Sequence, residues 1–130
     1  MLAVENLEVR YGGIMALRGV SIEVAKGETV LLVGANGAGK SSLINAVIGL
    51  VEASKGSVRF AGRDLSALSC DCRARAGIGY SPEGRRVFST MSVKDNVLTG
   101  AYGRGKEAQR EAWDWLSGIS VSPPVGAPTI

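Results

Sequence analysis

The stretch VLLVGANGAGKSSLINAVIGL, Val30 to Leu50, restricts this chain more than any other part of it. It starts inside the apolar run Thr29–Val33, which suits a short strand covered on both faces. Glycines follow at Gly34, Gly37 and Gly39, then Lys40, Ser41 and Ser42. From Ser41 the period changes: Leu43, Val47 and Leu50 share one helical face, with Ile44 and Ile48 beside them. Gly49 and the segment EASKG end that helix. Gly34-Ala35-Asn36-Gly37-Ala38-Gly39-Lys40-Ser41 fits GxxxxGK[ST], and a strand before it and a helix after it are the context this motif requires.

Each part of the motif has a chemical reason. Glycines let the backbone curl until successive N–H groups face inward as an anion nest. A lysine at position 40 reaches β- and γ-phosphates, and Ser41 offers a hydroxyl to Mg²⁺. The following helix points its positive end at the anion, worth ~0.3–2 kcal/mol. A glycine-rich turn with a chance lysine is the alternative, and the flanking strand and helix oppose it. The motif names neither the base nor the reaction.

Near-alternating apolar residues in Leu2–Arg10 and Gly19–Val24 predict two half-buried strands, paired antiparallel. AKGE, Ala25 to Glu28, is a turn. SVRF, Ser57 to Phe60, predicts another strand, with AGRD as the turn after it. Leu65 to Ala76 predicts a helix. GIGYSPE starts as a strand and is stopped by Pro82. Ser92 with Asp95 marks a helix N-cap opening VKDNVLTGAY. Lys106 to Leu116 predicts a further helix, with Trp113 and Trp115 on different faces. Strands interleaved with helices indicate an α/β domain.

At 130 residues the chain holds at most one domain. Hydrophobic residues are 45% and charged residues 21%, a globular balance. The net charge of +3 is spread along the chain rather than clustered, which argues against a nucleic-acid partner. No apolar run approaches the ~20 residues that span a bilayer, and no signal peptide is visible, so a cytosolic chain is expected. Cys70 and Cys72, without any histidine, are too few for a closed zinc site and are expected to be reduced thiols.

Taken together, YGGIMALRGVSIEVAKGETVLLVGANGAGKSSLINAVIGL and SKGSVRFAGRDLS resemble the N-terminal part of the ATP-binding subunits of ABC transporters. YSPEGRRVFSTMSVKDNVLTGA is similar to the second ATPase of branched-chain (hydrophobic) amino acid importers. The resemblance covers about Leu2 to Tyr102. It implies the N-terminal half of a P-loop ABC ATPase, with an antiparallel β subdomain and an incomplete parallel sheet, over residues 1–116. It implies that Tyr11 stacks on adenine, and that Gly34, Asn36, Gly37, Ala38, Gly39, Lys40, Ser41 and Ser42 hold ATP and Mg²⁺. From the residues alone, Tyr11 reads equally well as a half-buried strand-end tyrosine. Glu83 stands where most of the family has a metal-touching glutamine, and the importer branch often has glutamate there. Glu83 is therefore a second Mg²⁺ ligand candidate, a solvated loop carboxylate being the alternative. The region of Arg85 and Arg86 faces the membrane subunit in the family, against the alternative of a solvated basic pair. Membrane permease subunits and a second ATPase subunit are the implied partners, at the cytoplasmic face of the inner membrane.

Hydrolysis in this family needs an Asp ending a second strand, a Glu beside it, a switch histidine and an LSGGQ-type signature from a partner. None follows Tyr102; WLSGIS, Trp115 to Ser120, lacks the Gly-Gln and comes too soon. SVSPPVGAPTI departs from the family, so residues 117–130 are expected to be an irregular tail left by a frameshift or truncation, a divergent linker being the alternative. Unpaired, the strand Thr29–Val33 would expose apolar faces and promote aggregation. The expected function is an energy-coupling ATPase subunit whose chain is inactive alone. The alternatives are a non-catalytic nucleotide-binding module and, further off, a small P-loop kinase or GTPase, for which EGRR is a weak lid and VKDN is no guanine reader.

Overall fold

A computed structural model describes residues 1–84, 86–101 and 104–118. The chain divides into two units, Met1–Tyr80 and Ser81–Ile130. In the first, strands β1 (Leu2–Tyr11) and β2 (Ile14–Val24) form an antiparallel hairpin, with Leu2 opposite Val24 and Tyr11 opposite Ile14. Both strands run beyond the sequence expectation, because Gly12, at φ 57, lets the chain reverse in two residues. Helix α1 (Lys40–Val47) follows. Strand β3 (Lys55–Phe60) pairs antiparallel with the other side of β1, Val4 opposite Val58. A two-residue strand β4 (Arg63–Asp64) closes the sheet in the order β2-β1-β3-β4.

Val4, Leu7 and Val9 are all buried, although strict alternation would put Val4 and Leu7 on opposite faces. Asn6 sits at φ 48, and the register slips between Val4 and Leu7. This bulge adds a residue and keeps all three on one face. Gly56, at φ 92, faces it; a Cβ there would come within 2.5 Å of the Glu5 and Asn6 carbonyl oxygens. Leu17 and Val58 join the same face, and Leu43, Ala46 and Val47 of α1 cover it. Burying one such leucine contributes ~1.5–3 kcal/mol.

The segment Thr29–Val33 corrects the sequence reading: it makes no strand. Leu32 packs against the core, but Leu31 and Val33 are 83% and 84% exposed. An apolar run of this kind becomes a strand only when neighbours supply hydrogen bonds on its edges, and among the described residues every strand pairing is antiparallel and elsewhere. GIGYSPE forms no strand for the same reason. Leu50 is exposed rather than on the α1 face, because Gly49, at φ 79, takes the chain out of helical phase first.

The expected helix Leu65–Ala76 is shorter, α2 (Cys70–Arg75), because Ser69 is extended at ψ 160 and the carbonyls of Ser66 and Leu68 bond a side chain instead. In the second unit α3 (Val93–Thr99) begins at the expected cap: the Asp95 amide donates to Ser92 Oγ at 3.1 Å. Helix α4 (Gly105–Ser117) packs on α3, with Lys94 Nζ 5.3 Å from the centre of the Trp113 ring and Trp115 71% exposed. The tail from residue 119 onward lies outside the described residues.

Candidate functional site

The turn Ala25–Glu28 leads into the apolar segment, and that segment into the glycine loop. Within the loop the Ala38 amide donates to the Ala35 carbonyl at 3.1 Å. Gly37 and Gly39 adopt φ 83 and φ 90, a region that other residues avoid. At Gly39 space matters too. A Cβ would lie 2.8 Å from the Ala16 carbonyl oxygen and 2.8 Å from Leu17 Cδ2. The loop is therefore seated directly on β2 at this residue.

Gly39 is also the N-cap of α1. It has no side chain to bond the first-turn amides, and no acidic residue lies in that turn. The amides that open α1 thus keep their donor capacity. Lys40 is the first helical residue. Its Nζ donates to the carbonyls of Gly34 at 2.6 Å and Ala35 at 2.7 Å. An ammonium has three donors, so one remains for an anion above the loop. Ser41 is exposed, its hydroxyl in the same turn, and Ser42 is half-buried. Lysine, uncapped amides and hydroxyl all belong to one helix N-terminus, a set of groups suited to phosphate and its counter-cation. A magnesium ion takes one or two protein oxygens and completes its octahedron from phosphate and water, so the single hydroxyl of Ser41 fits that need.

Tyr11 is 46% exposed at the end of the hairpin. It pairs with Ile14, two residues before Ala16, on which Gly39 rests. At ~3.4 Å per residue the ring is anchored roughly 7 Å along β2 from the seat of the loop. Glu83 belongs to the second unit and is exposed; its backbone carbonyl accepts from Arg86 Nε at 3.2 Å. Arg85 lies outside the described residues. Cys70 and Cys72 are free thiols. Among the described residues no three metal-ligating side chains gather, and no helix is long and apolar enough to cross a membrane.

Two residues escaped the sequence reading. Arg73 is 5% exposed and donates four hydrogen bonds to backbone carbonyls, two at the far end of α1 and two in the segment before α2. Burial pulls its pKa below the usual arginine value, with Cys70 and Asp64 opposing. Asn96 ties the loop before α3, accepting from the Phe88 amide at 2.8 Å and donating to the carbonyls of Phe88, Met91 and Ser92. That loop holds Val87 and Phe88 out, 71% and 58% exposed. Nothing in the spacing of CDCRARAG separates Arg73 from Arg75, which is on the surface with Asp71.

The family model for ABC transporter matches residues 17–124. The chain is 44% identical over 107 residues to the high-affinity branched-chain amino acid transport ATP-binding protein BraG of Pseudomonas aeruginosa, covering 82% of this chain and 46% of that one. It is 39% identical over 97 residues to the lipopolysaccharide export system ATP-binding protein LptB of Escherichia coli K12, covering 75% and 40%. A solved ATP-binding cassette of an ABC transporter superposes with a TM-score of 0.72 at 31% identity, over 95% of this chain and 47% of the other. A second cassette, solved as a dimer with ADP and Pi, has a TM-score of 0.75 at 22% identity and shows the fold. The chain spans about half the length of the curated relatives it matches.

Proposed function

This chain belongs to the ABC transporter family, and on that premise we propose that it holds Mg-ATP at Gly34–Ser42 as the nucleotide-binding part of a transport ATPase subunit. The observation that carries this reading is the start of α1. An uncapped helix N-terminus, two left-handed glycines and a lysine with a spare donor meet at one loop seated on β2. In this reading the amides of the loop, with Gly34, Asn36, Gly37, Ala38 and Gly39, cradle the phosphates. Lys40 neutralises them, Ser42 joins the residues that hold the phosphates and the ion, and Tyr11 stacks on the adenine. Ser41 is the candidate Mg²⁺ ligand in this loop, and for Glu83 the support is the family likeness alone; when bound, the ion offsets charge on the phosphate oxygens.

The proposed cargo is a branched-chain amino acid, supported by the likeness to BraG and by PEGRRVF at Pro82–Phe88. Lipopolysaccharide export is the second reading, supported by the LptB relatives. Either way the partners are membrane subunits at the cytoplasmic face and a second ATPase subunit. ATP hydrolysis belongs to the whole subunit in this proposal. The 130 residues contain no histidine and no signature sequence, so the chain alone binds without turning over.

Calorimetric titration with Mg-ATP tests the binding. The parent chain binds and Lys40→Ala shows no detectable heat. Equal affinity in both would sink the assignment.

A further inference from the structure

The C-terminal end of α1 is held as deliberately as its start. The helix has no basic residue in its own last turn. Arg73, from α2, supplies one. Its Nη1 donates to the carbonyls of Ala46 and Val47, both at 2.8 Å. Its Nε donates to the Leu68 carbonyl at 2.9 Å and its Nη2 to the Ser66 carbonyl at 3.0 Å. One planar fork thus ties the end of α1 to the segment between β4 and α2. The ion pairs among the described residues do not include Arg73. Its charge faces carbonyl oxygens and the negative end of a helix.

A second feature converges on the same place. Gly49 closes α1, its amide donating to Ala46 and the Leu50 amide to Asn45. A Cβ on Gly49 would lie 2.9 Å from Arg73 Nε. The guanidinium reaches α1 only because residue 49 has no side chain.

Two turns of helix are too short to persist without tertiary anchors. Gly39 anchors the first turn on β2 and Arg73 anchors the last, about 12 Å away at 1.5 Å per residue. We propose that Arg73 is a positioning residue for the anion site: by fixing the far end of α1 it sets the direction of the first-turn amides and of Lys40. This deepens the nucleotide reading and rests on it.

The experiment compares the parent chain with Arg73→Met and Arg73→Lys, after circular dichroism confirms folding. Mg-ATP affinity per folded molecule falls roughly 2- to 30-fold in Arg73→Met, the range of couplings carried through packed elements, and Arg73→Lys recovers part of it. Amide exchange without nucleotide gives a second readout. The Leu43 amide, which bonds the Gly39 carbonyl, loses protection beyond that of the β1–β2 ladder. A purely structural arginine lowers both protections together and leaves folded-state affinity unchanged; that result overturns the proposal. If Arg73→Met does not fold, the parent decides, because coupling is reciprocal: saturating Mg-ATP slows exchange of the Arg73 Nε–H, and an unchanged rate overturns the proposal. If the parent binds no Mg-ATP, the nucleotide reading fails by itself, and the Leu43 comparison still decides whether Arg73 governs the first turn.

Discussion

Gly39 offers the sharpest test of the site, because Gly37 serves as its internal control. Both glycines are left-handed, at φ 90 and φ 83. An alanine at either position therefore carries the conformational cost of that region, ~1–2 kcal/mol. Only Gly39 is short of room. Its Cβ would meet the Ala16 carbonyl oxygen and Leu17 Cδ2 at 2.8 Å, whereas around Gly37 nothing lies within 4 Å. A backbone carbonyl cannot rotate away as a side chain can, so overpacking adds ~1–3 kcal/mol. Gly39→Ala is thus expected to cost ~2–5 kcal/mol and Gly37→Ala ~1–2. With a urea slope of ~1–3 kcal/mol per molar, their unfolding midpoints differ by about 1 M. The assay is equilibrium urea unfolding followed by far-ultraviolet circular dichroism, with the slopes checked for equality. Coincident midpoints for the two variants would refute the seating of the loop on β2, and with it the geometry assigned to the first turn of α1.

Tyr11→Ala should weaken nucleotide binding by ~0.5–1.5 kcal/mol, equally for ATP and ADP in calorimetry, since the base is common to both; a loss confined to ATP would move Tyr11 to the phosphate end. Phosphate release by the 130-residue chain should not exceed that of Lys40→Ala, because one well-aimed polar group is worth ~10²–10³ in rate and several are missing; turnover abolished by Lys40→Ala would reveal a complete site. Hydrogen bonds from Ser66 hold the Asp64 carboxyl below its ordinary 3.8. A depressed carboxylate stabilises the fold above its unfolded pKa, and that contribution disappears as pH falls below about 4. Unfolding midpoints measured from neutral to acid pH should therefore fall less steeply in Asp64→Asn, and parallel curves would remove Asp64 from the account.

What could be read from the sequence was what is local. The hairpin of β1 and β2 shows in alternating Leu7, Val9, Val20, Ile22 and Val24. The α3 cap shows in Ser92 and Asp95, whose bond spans three residues. The glycine loop and the helix after it show because the glycines, lysine and serine lie within eight residues of one another. What failed depends on residues distant in the chain. Thr29–Val33 has the composition of a buried strand but no partner among the described residues, and composition cannot supply one. The bulge at Asn6 needs Gly56 opposite, fifty positions away. The role of Arg73 depends on carbonyls of Ala46 and Val47 and on the bare Cα of Gly49, none of which leaves a mark near position 73. The roles proposed for Tyr11 and Glu83 rest on a family likeness, and single exposed residues carry no pattern of their own.

The two flanks of the glycine loop are unequally secured, and the asymmetry has a thermodynamic consequence. On one side stands α1, pinned at both ends. On the other, residues 29–33 have no ladder bonds among the described residues, and Leu31 and Val33 are exposed. If binding an anion fixes those five residues, it costs on the order of 5–10 kcal/mol at ~1–2 per residue. That rivals the ~8 kcal/mol of a micromolar ligand. A polypeptide edge that paired with residues 29–33 beforehand would remove the cost and register in a titration as tighter nucleotide, without touching a phosphate.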